Sequence, residues 1–142
     1  MIKENTTLMH QTPYLEVYHD HQINVVIYRW IGRVKDQDSK SGLHTIVDII
    51  KKKKAKSTVA DLTRFMGGPV ETAKWMNEVG SKMLADAGVE KMALKLPESA
   101  FGEFSIKLAL GSGFSSSITV EKFTDWTDIY RWLEQQHAPQ QA

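Results

Sequence analysis

Apolar positions along this chain come first as two adjacent runs and then as stripes alternating with runs. Tyr14-Leu15-Glu16-Val17-Tyr18 and Ile23–Trp30 predict two strands, since Tyr, Val and Ile favour extended backbone, with His19-Asp20-His21-Gln22 as the turn between them. The near-continuous β-branched run of the second predicts a central strand covered on both faces. After Gly32 the period changes. Leu43, Ile46, Val47 and Ile50 recur at steps of three or four, which predicts a helix. Asp36 or a neighbour is its cap, and Lys51-Lys52-Lys53-Lys54 suits the negative end of its dipole.

Ser57-Thr58-Val59-Ala60-Asp61-Leu62 is the next predicted strand. Gly67-Gly68-Pro69 then opens a helix with Val70, Ala73, Met76, Val79, Met83 and Ala87 on its apolar stripe, closed by Gly88. Val89–Leu96 predicts a strand stopped by Pro97, and Ala100–Leu110 a helix burying Phe101, Phe104 and Leu108. The small-residue stretch from Gly111 to Ser117 reads as a flexible loop. Ile118–Phe123 alternates as a strand, and Thr124 or Asp125 caps a last helix carrying Trp126, Ile129, Tyr130 and Leu133. The order β-β-α-β-α-β-α-β-α predicts a single α/β domain: a mixed, mostly parallel five-stranded sheet packed with four helices, its first strand antiparallel at an edge. Residues 1–13 are expected to be a mobile N-terminal arm, residues 14–134 the domain, and residues 135–142 a polar C-terminal tail.

Composition narrows the function mainly by exclusion. Eighteen Lys and Arg against 17 Asp and Glu leave a net charge of +1, unlike the basic excess of a nucleic-acid binder. There is no cysteine, so neither a disulfide nor a thiolate metal site is available. No segment approaches the roughly 18 consecutive apolar residues of a membrane span, and the first ten residues lack the apolar run of a signal peptide. A cytoplasmic protein without membrane insertion is expected.

No recognisable constellation of catalytic residues appears. His19 and His21 stand two apart beside Asp20 with no further ligand at a metal-site spacing, while His10, His44 and His137 are scattered. Gly-x-Ser-x-Gly is absent, and Gly111-Ser112-Gly113 precedes a strand where a nucleophile elbow would join strand to helix. The carboxylate pairs Asp36/Asp38 and Asp125/Asp128 sit at helix starts, where the dipole favours them. Gly67-Gly68-Pro69 presents amides at a helix start near Arg64 but lacks the lysine of a phosphate loop. The four-lysine run has no interleaved aromatic residues and reads as a solvated helix end. No enzyme, metal or cofactor is expected.

Several of these segments together carry a family resemblance. The strand ending Tyr28-Arg29-Trp30-Ile31 before Gly32, the run Val59-Ala60-Asp61-Leu62-Thr63-Arg64-Phe65, the helix with Lys74-Trp75, the run Ala87-Gly88-Val89-Glu90-Lys91-Met92-Ala93 and the closing Trp132-Leu133 helix resemble the STAS-like proteins related to the sporulation anti-anti-sigma factor (SpoIIAA-like). The resemblance spans residues 14–134. It implies a STAS-like fold and protein partners, in some members under phosphorylation control. Other branches of the wider fold imply an apolar or lipid-like ligand. One departure stands out: where phosphorylated members carry Asp-Ser-Ser-Gly, this chain reads Met66-Gly67-Gly68-Pro69, with no serine at the helix start. No regulatory phosphorylation is expected between Gly67 and Glu71, and little at Thr63.

The first expectation is therefore a non-enzymatic interaction or regulatory module. Its partner surface would comprise Thr63, Arg64, Phe65, Gly67, Gly68 and Trp75, with an unidentified protein as partner. The rival is a carrier of a small apolar or lipid-like ligand, in a pocket near Trp30, Phe65, Phe101 and Phe104. Four tryptophans, two of them (Trp75 and Trp132) beside helix stripes, and an edge strand are compatible with a homodimer.

Overall fold

The sheet starts earlier than the hydrophobic pattern predicts. In the computed structural model, which describes residues 5–97, 99–111, 114 and 116–137, Thr6–Gln11 is a strand (β1) paired antiparallel with β2, Leu15–Asp20. The arm expected to be mobile is thus the sheet edge. Among the described residues the sheet has six strands, not five. β1 buries little, so its sequence Thr-Thr-Leu-Met-His-Gln carries no strong apolar alternation. A register shift between Leu8 and His10 kinks it, as bulges commonly do at sheet edges.

β2 is consequently internal, and it runs on through His19 and Asp20. The turn to β3, Val25–Trp30, falls later than predicted and closes on Asn24 at φ 52°, a conformation Asn tolerates better than most residues. Asp20 Oδ1 accepts from the amides of Gln22 and Ile23 at 3.0 and 3.3 Å. His19, expected in an exposed turn, is buried in β2 with Nε2 2.7 Å from Asn24 Oδ1.

From β3 onward the predicted alternation holds. α1 is Asp36–Lys53, β4 Ser57–Asp61, β5 Lys91–Lys95, α3 Ala100–Leu110, β6 Thr119–Phe123 and α4 Trp126–His137. Between β4 and β5, α2 covers residues 70–86 as Val70–Trp75, a π-helical turn Met76–Gly80, and Ser81–Asp86. Strand order is sequential, antiparallel across β1–β3 and parallel across β3–β6. Pro69 stands just ahead of α2 with extended backbone, and Gly88 takes φ 106° just after it. Residues 112, 113 and 115 of the predicted small-residue loop, and 138–142 of the tail, lie outside the described residues.

The π turn changes which side of α2 is buried. It inserts one residue per turn, so the stripe drifts from the steps of three or four read in the sequence. Val79 is exposed, while Gly80, Ser81 and Leu84 are buried; Val70, also exposed, opens the helix ahead of the turn and owes nothing to it. α3 also differs from expectation: Gly102, Ser105 and Ile106 face inward and Phe104 is 55% exposed.

Side chains alternate along β3 between two cores. Val26, Tyr28 and Trp30 join Leu43, Ile46 and Ile50 of α1, Leu84 of α2 and Ile106 of α3. Val25 and Ile27 join Val59, Ala93 and the α4 residues Ile129 and Leu133 on the other face. Among the described residues three helices cover one face and a single helix the other. The first core is left incompletely filled.

Candidate functional site

Small residues create a gap in the larger core. Ala60 on β4, Ala73 on α2, Ser39 on α1, and Ser105 and Ala109 one turn apart on α3 all face a common space. Side chains this short on facing elements cannot reach close packing between sheet and helices. What remains is a pocket of about 130 Å³. Tyr28, Trp30, Phe65 and Phe114 supply aromatic walls, while Met76 and Met92 supply thioethers.

The loop after β4 closes one end. It is pinned to the segment that follows β3: Gly32 N donates to Arg64 O at 2.8 Å, Met66 N to Gly32 O at 2.9 Å, and Val34 N to Gly67 O at 3.0 Å. Phe65 therefore lies against the pocket as part of a held loop. Gly68 N donates to Ser105 Oγ at 3.4 Å, joining the loop to α3. Thr72, three residues past Pro69, donates its hydroxyl to Asp36 Oδ1 at 2.7 Å and so joins α2 to α1. That bond and Lys40 at 3.0 Å hold the Asp36 carboxyl below its ordinary range. Lys40 also sits 5.5 Å from the Trp75 ring centre.

The chemistry of the lining is narrow. Among the described residues, none that lines the pocket carries a carboxylate, imidazole, amine or guanidinium. Besides the indole of Trp30, its polar side chains are hydroxyls: Tyr28, Ser39, Thr72 and Ser105. Tyr28 is already committed. Its hydroxyl donates to Met92 Sδ at 3.0 Å and lies 3.1 Å from Thr58 Oγ1, and burial pushes its pKa up to about 12. A phenol held neutral this firmly is not poised for proton transfer near pH 7.

The opposite face of the sheet holds a polar row along one register. Glu16 on β2, Arg29 on β3, Asp61 on β4 and Lys95 on β5 are successive cross-strand partners. Arg29 reaches Glu16 Oε1 at 3.2 Å and Asp61 Oδ2 at 2.9 Å. Burial alone would lower the Arg29 pKa, but the Asp61 hydrogen bond and charge outweigh it and raise it. Thr63 donates its hydroxyl to Asp61 Oδ1 at 2.7 Å and accepts from Lys95 Nζ at 3.4 Å. Among the described residues no group of three or more His, Asp or Glu could hold a metal ion.

These positions divide the residues singled out in the sequence. Trp30, Phe65 and Gly68 line the pocket. Phe104, named for that pocket, is not among its walls and faces out, because the inward side of α3 carries the smaller residues. The Phe101 side chain lies outside the described residues. Thr63 joins the polar row on the other face, Arg64 is exposed, and Trp75 packs half-buried at the margin of the first core. Ser39, Thr72 and Ser105 were missed. Their signal was smallness at inward helix positions, which a search for aromatic residues overlooks.

Neither a family model nor a curated protein matches the sequence. Solved structures do. An uncharacterised protein of the DUF3478 family with a SpoIIAA-like fold, from Shewanella loihica PV-4, superposes with TM-score 0.56 at 12% identity, over 89% of this chain and 99% of the other. The anti-sigma factor antagonist SpoIIAA in its unphosphorylated form gives TM-score 0.48 at 13% identity, over 89% and 96%. Among the described residues no helix is long and apolar enough to cross a membrane. At such low identity the likeness speaks to architecture, and the architecture is that of the SpoIIAA-like α/β fold.

Proposed function

We propose that this protein is a non-enzymatic binding module that seats a small apolar guest in the pocket between the sheet and helices α1–α3. The observation that carries the reading is the lining: aromatic, aliphatic and thioether groups with a few hydroxyls and no ionisable side chain but a strongly neutral tyrosine. Ligand sites are characteristically concave, apolar and sparingly polar. Hydrolytic and acid–base reactions need a proton carrier near working pH or a general base to activate a hydroxyl nucleophile, and the described lining supplies neither. Native mass spectrometry of protein purified without denaturation tests the reading. A stoichiometric adduct is expected, lost in Ala73→Leu or Ala109→Leu, whose added bulk occupies the pocket. A bare mass together with no calorimetric response to apolar probes would count against it.

A second reading, docking of a protein partner, rests on a different observation. Met66 and Val70 flank the Gly67–Pro69 loop at 49% and 50% exposure, and Phe104 adjoins Ser105, which meets that loop. Exposed apolar side chains gathered at one loop mark interaction surfaces. Met66→Ser with Phe104→Ser should abolish capture of a specific partner while leaving any adduct in place; unchanged capture would dismiss this face.

A further inference from the structure

The pocket is not uniformly apolar, and its polarity is graded from one end to the other. At one end lie the loop after β4 and the first turn of α1, with Gly68, Ser105, Thr72 and Ser39. At the other lie Leu84 near the end of α2 and Met92 near the start of β5, with no free hydroxyl between them. Thr72 spends its proton on Asp36. Ser39 differs. It is 5% exposed, lines the pocket, and its hydroxyl engages no other group among the described residues. A helical serine commonly bonds back to the carbonyl four residues earlier; here the Lys35 carbonyl receives only the Ser39 amide, at 2.9 Å. Ser105 Oγ accepts a long bond from Gly68 N at 3.4 Å, and its own proton is uncommitted among the described residues.

The Ser39 hydroxyl opens onto the pocket and is not sealed from it, so a guest that displaces water there must offer an oxygen in its place or leave the hydroxyl unpaired, which is costly. The absence of cationic side chains from the described lining argues against a carboxylate or phosphate, since an unpaired buried charge costs far more than a hydrogen bond returns. Size limits the guest as well. A volume of about 130 Å³ is close to the roughly 150 Å³ of an engineered apolar cavity that binds benzene.

We infer that the guest is a small uncharged molecule, about one six-membered ring in size, bearing a single hydroxyl or carbonyl that hydrogen-bonds to Ser39 and is supported by Ser105. This deepens the binding-module reading and rests on it. The apolar body then lies toward Leu84 and Met92, and the oxygen toward the α1 start.

Isothermal titration calorimetry of the intact protein with benzene, phenol and benzoate tests the assignment. Phenol should bind tightest, benzene more weakly and benzoate least. Ser39→Ala should weaken phenol about 3- to 10-fold, the effect of one hydrogen bond, and leave benzene within about 2-fold. Ser105→Ala should weaken phenol by less, and it serves as the second variant should Ser39→Ala fold poorly. If benzene binds as tightly as phenol, or Ser39→Ala shifts both equally, the assignment is overturned while the pocket reading stands. Tightest binding of benzoate overturns it too. If none of the three binds the parent protein, and Ala73→Leu is indistinguishable from it, both readings fall.

Discussion

At the scale of single residues, close approach and burial decide most of what a substitution would do. A Cβ on Gly102 would lie 2.4 Å from the Phe65 carbonyl oxygen, and one on Gly68 2.7 Å from the Val34 carbonyl oxygen. Both obstacles are backbone atoms of held segments, so neither can rotate aside. Gly102→Ala should therefore destabilise by about 2–4 kcal/mol in denaturant titrations, well beyond the roughly 1 kcal/mol gained from helix propensity. Tyr28 offers a pH test. Its hydroxyl titrates near 10 when unfolded and is raised to about 12 by burial in the fold. Between these values the unfolded chain has released a proton that the native chain keeps, so stability is complete below pH 10 and falls as pH rises toward 12, by roughly 3 kcal/mol in all. Tyr28→Phe should lack this decline. It should be less stable than the parent at pH 8, having lost the bonds to Thr58 and Met92, and should overtake it above pH 11. Residue identity did not announce these roles. Tyr28 reads as a strand residue, and its resistance to ionisation comes from complete burial in the first core, against which the Thr58 hydrogen bond works.

At the scale of elements, the period of each segment was legible and its phase was not. β3, α1, β4 and the α3 bounds follow the runs and stripes, because a continuous β-branched run or a three–four spacing leaves few alternatives. β1 was missed because an edge strand with one exposed face needs little apolar content. α2 was placed correctly, but its π turn moved Val79 off the buried side, which no sequence period reveals. That turn has a testable consequence. A π turn is an α-helix with one residue inserted, so deleting Val79 should restore regular geometry and keep Ala73 on one side and Gly80 and Leu84 on the other facing the core. The ΔVal79 protein should fold with a melting temperature within about 5 °C of the parent, a loss near 1 kcal/mol. Deleting Thr45 from α1 should prevent folding, since it turns the rest of the stripe, Ile46, Val47 and Ile50, by about 100° relative to the helix before it. Circular dichroism melts of the two deletions distinguish these outcomes. Equal loss in both would mean that the π turn does not absorb the extra residue.

At the scale of the whole molecule, the sheet separates two jobs. One face, under three helices, holds the pocket with its neutral lining. The other, under α4, holds the second core and the row Glu16–Arg29–Asp61–Lys95. A strand sends successive side chains to opposite faces, so Tyr28 and Trp30 reach the pocket while Arg29 between them reaches the charges. The sequence displays this alternation, yet the gap behind it arises where several distant small side chains meet, and only tertiary packing brings them together. The division predicts independence. Asp61 is 1% exposed and accepts from Arg29 Nε, the Thr63 amide and the Thr63 hydroxyl. Asp61→Asn removes the charge opposing a half-buried guanidinium and puts an amide donor among donors, at a cost of about 3 kcal/mol in denaturant titrations. A polar row that merely braces the sheet should leave phenol affinity within about 2-fold at temperatures where the variant is folded. Combined with Ala73→Leu, its stability effect should add to within about 0.5 kcal/mol, as for sites without shared partners. A large loss of phenol affinity in folded Asp61→Asn, or strong non-additivity, would show that the faces are coupled through the strands, and the pocket would then have to be read as one half of a site that spans the sheet.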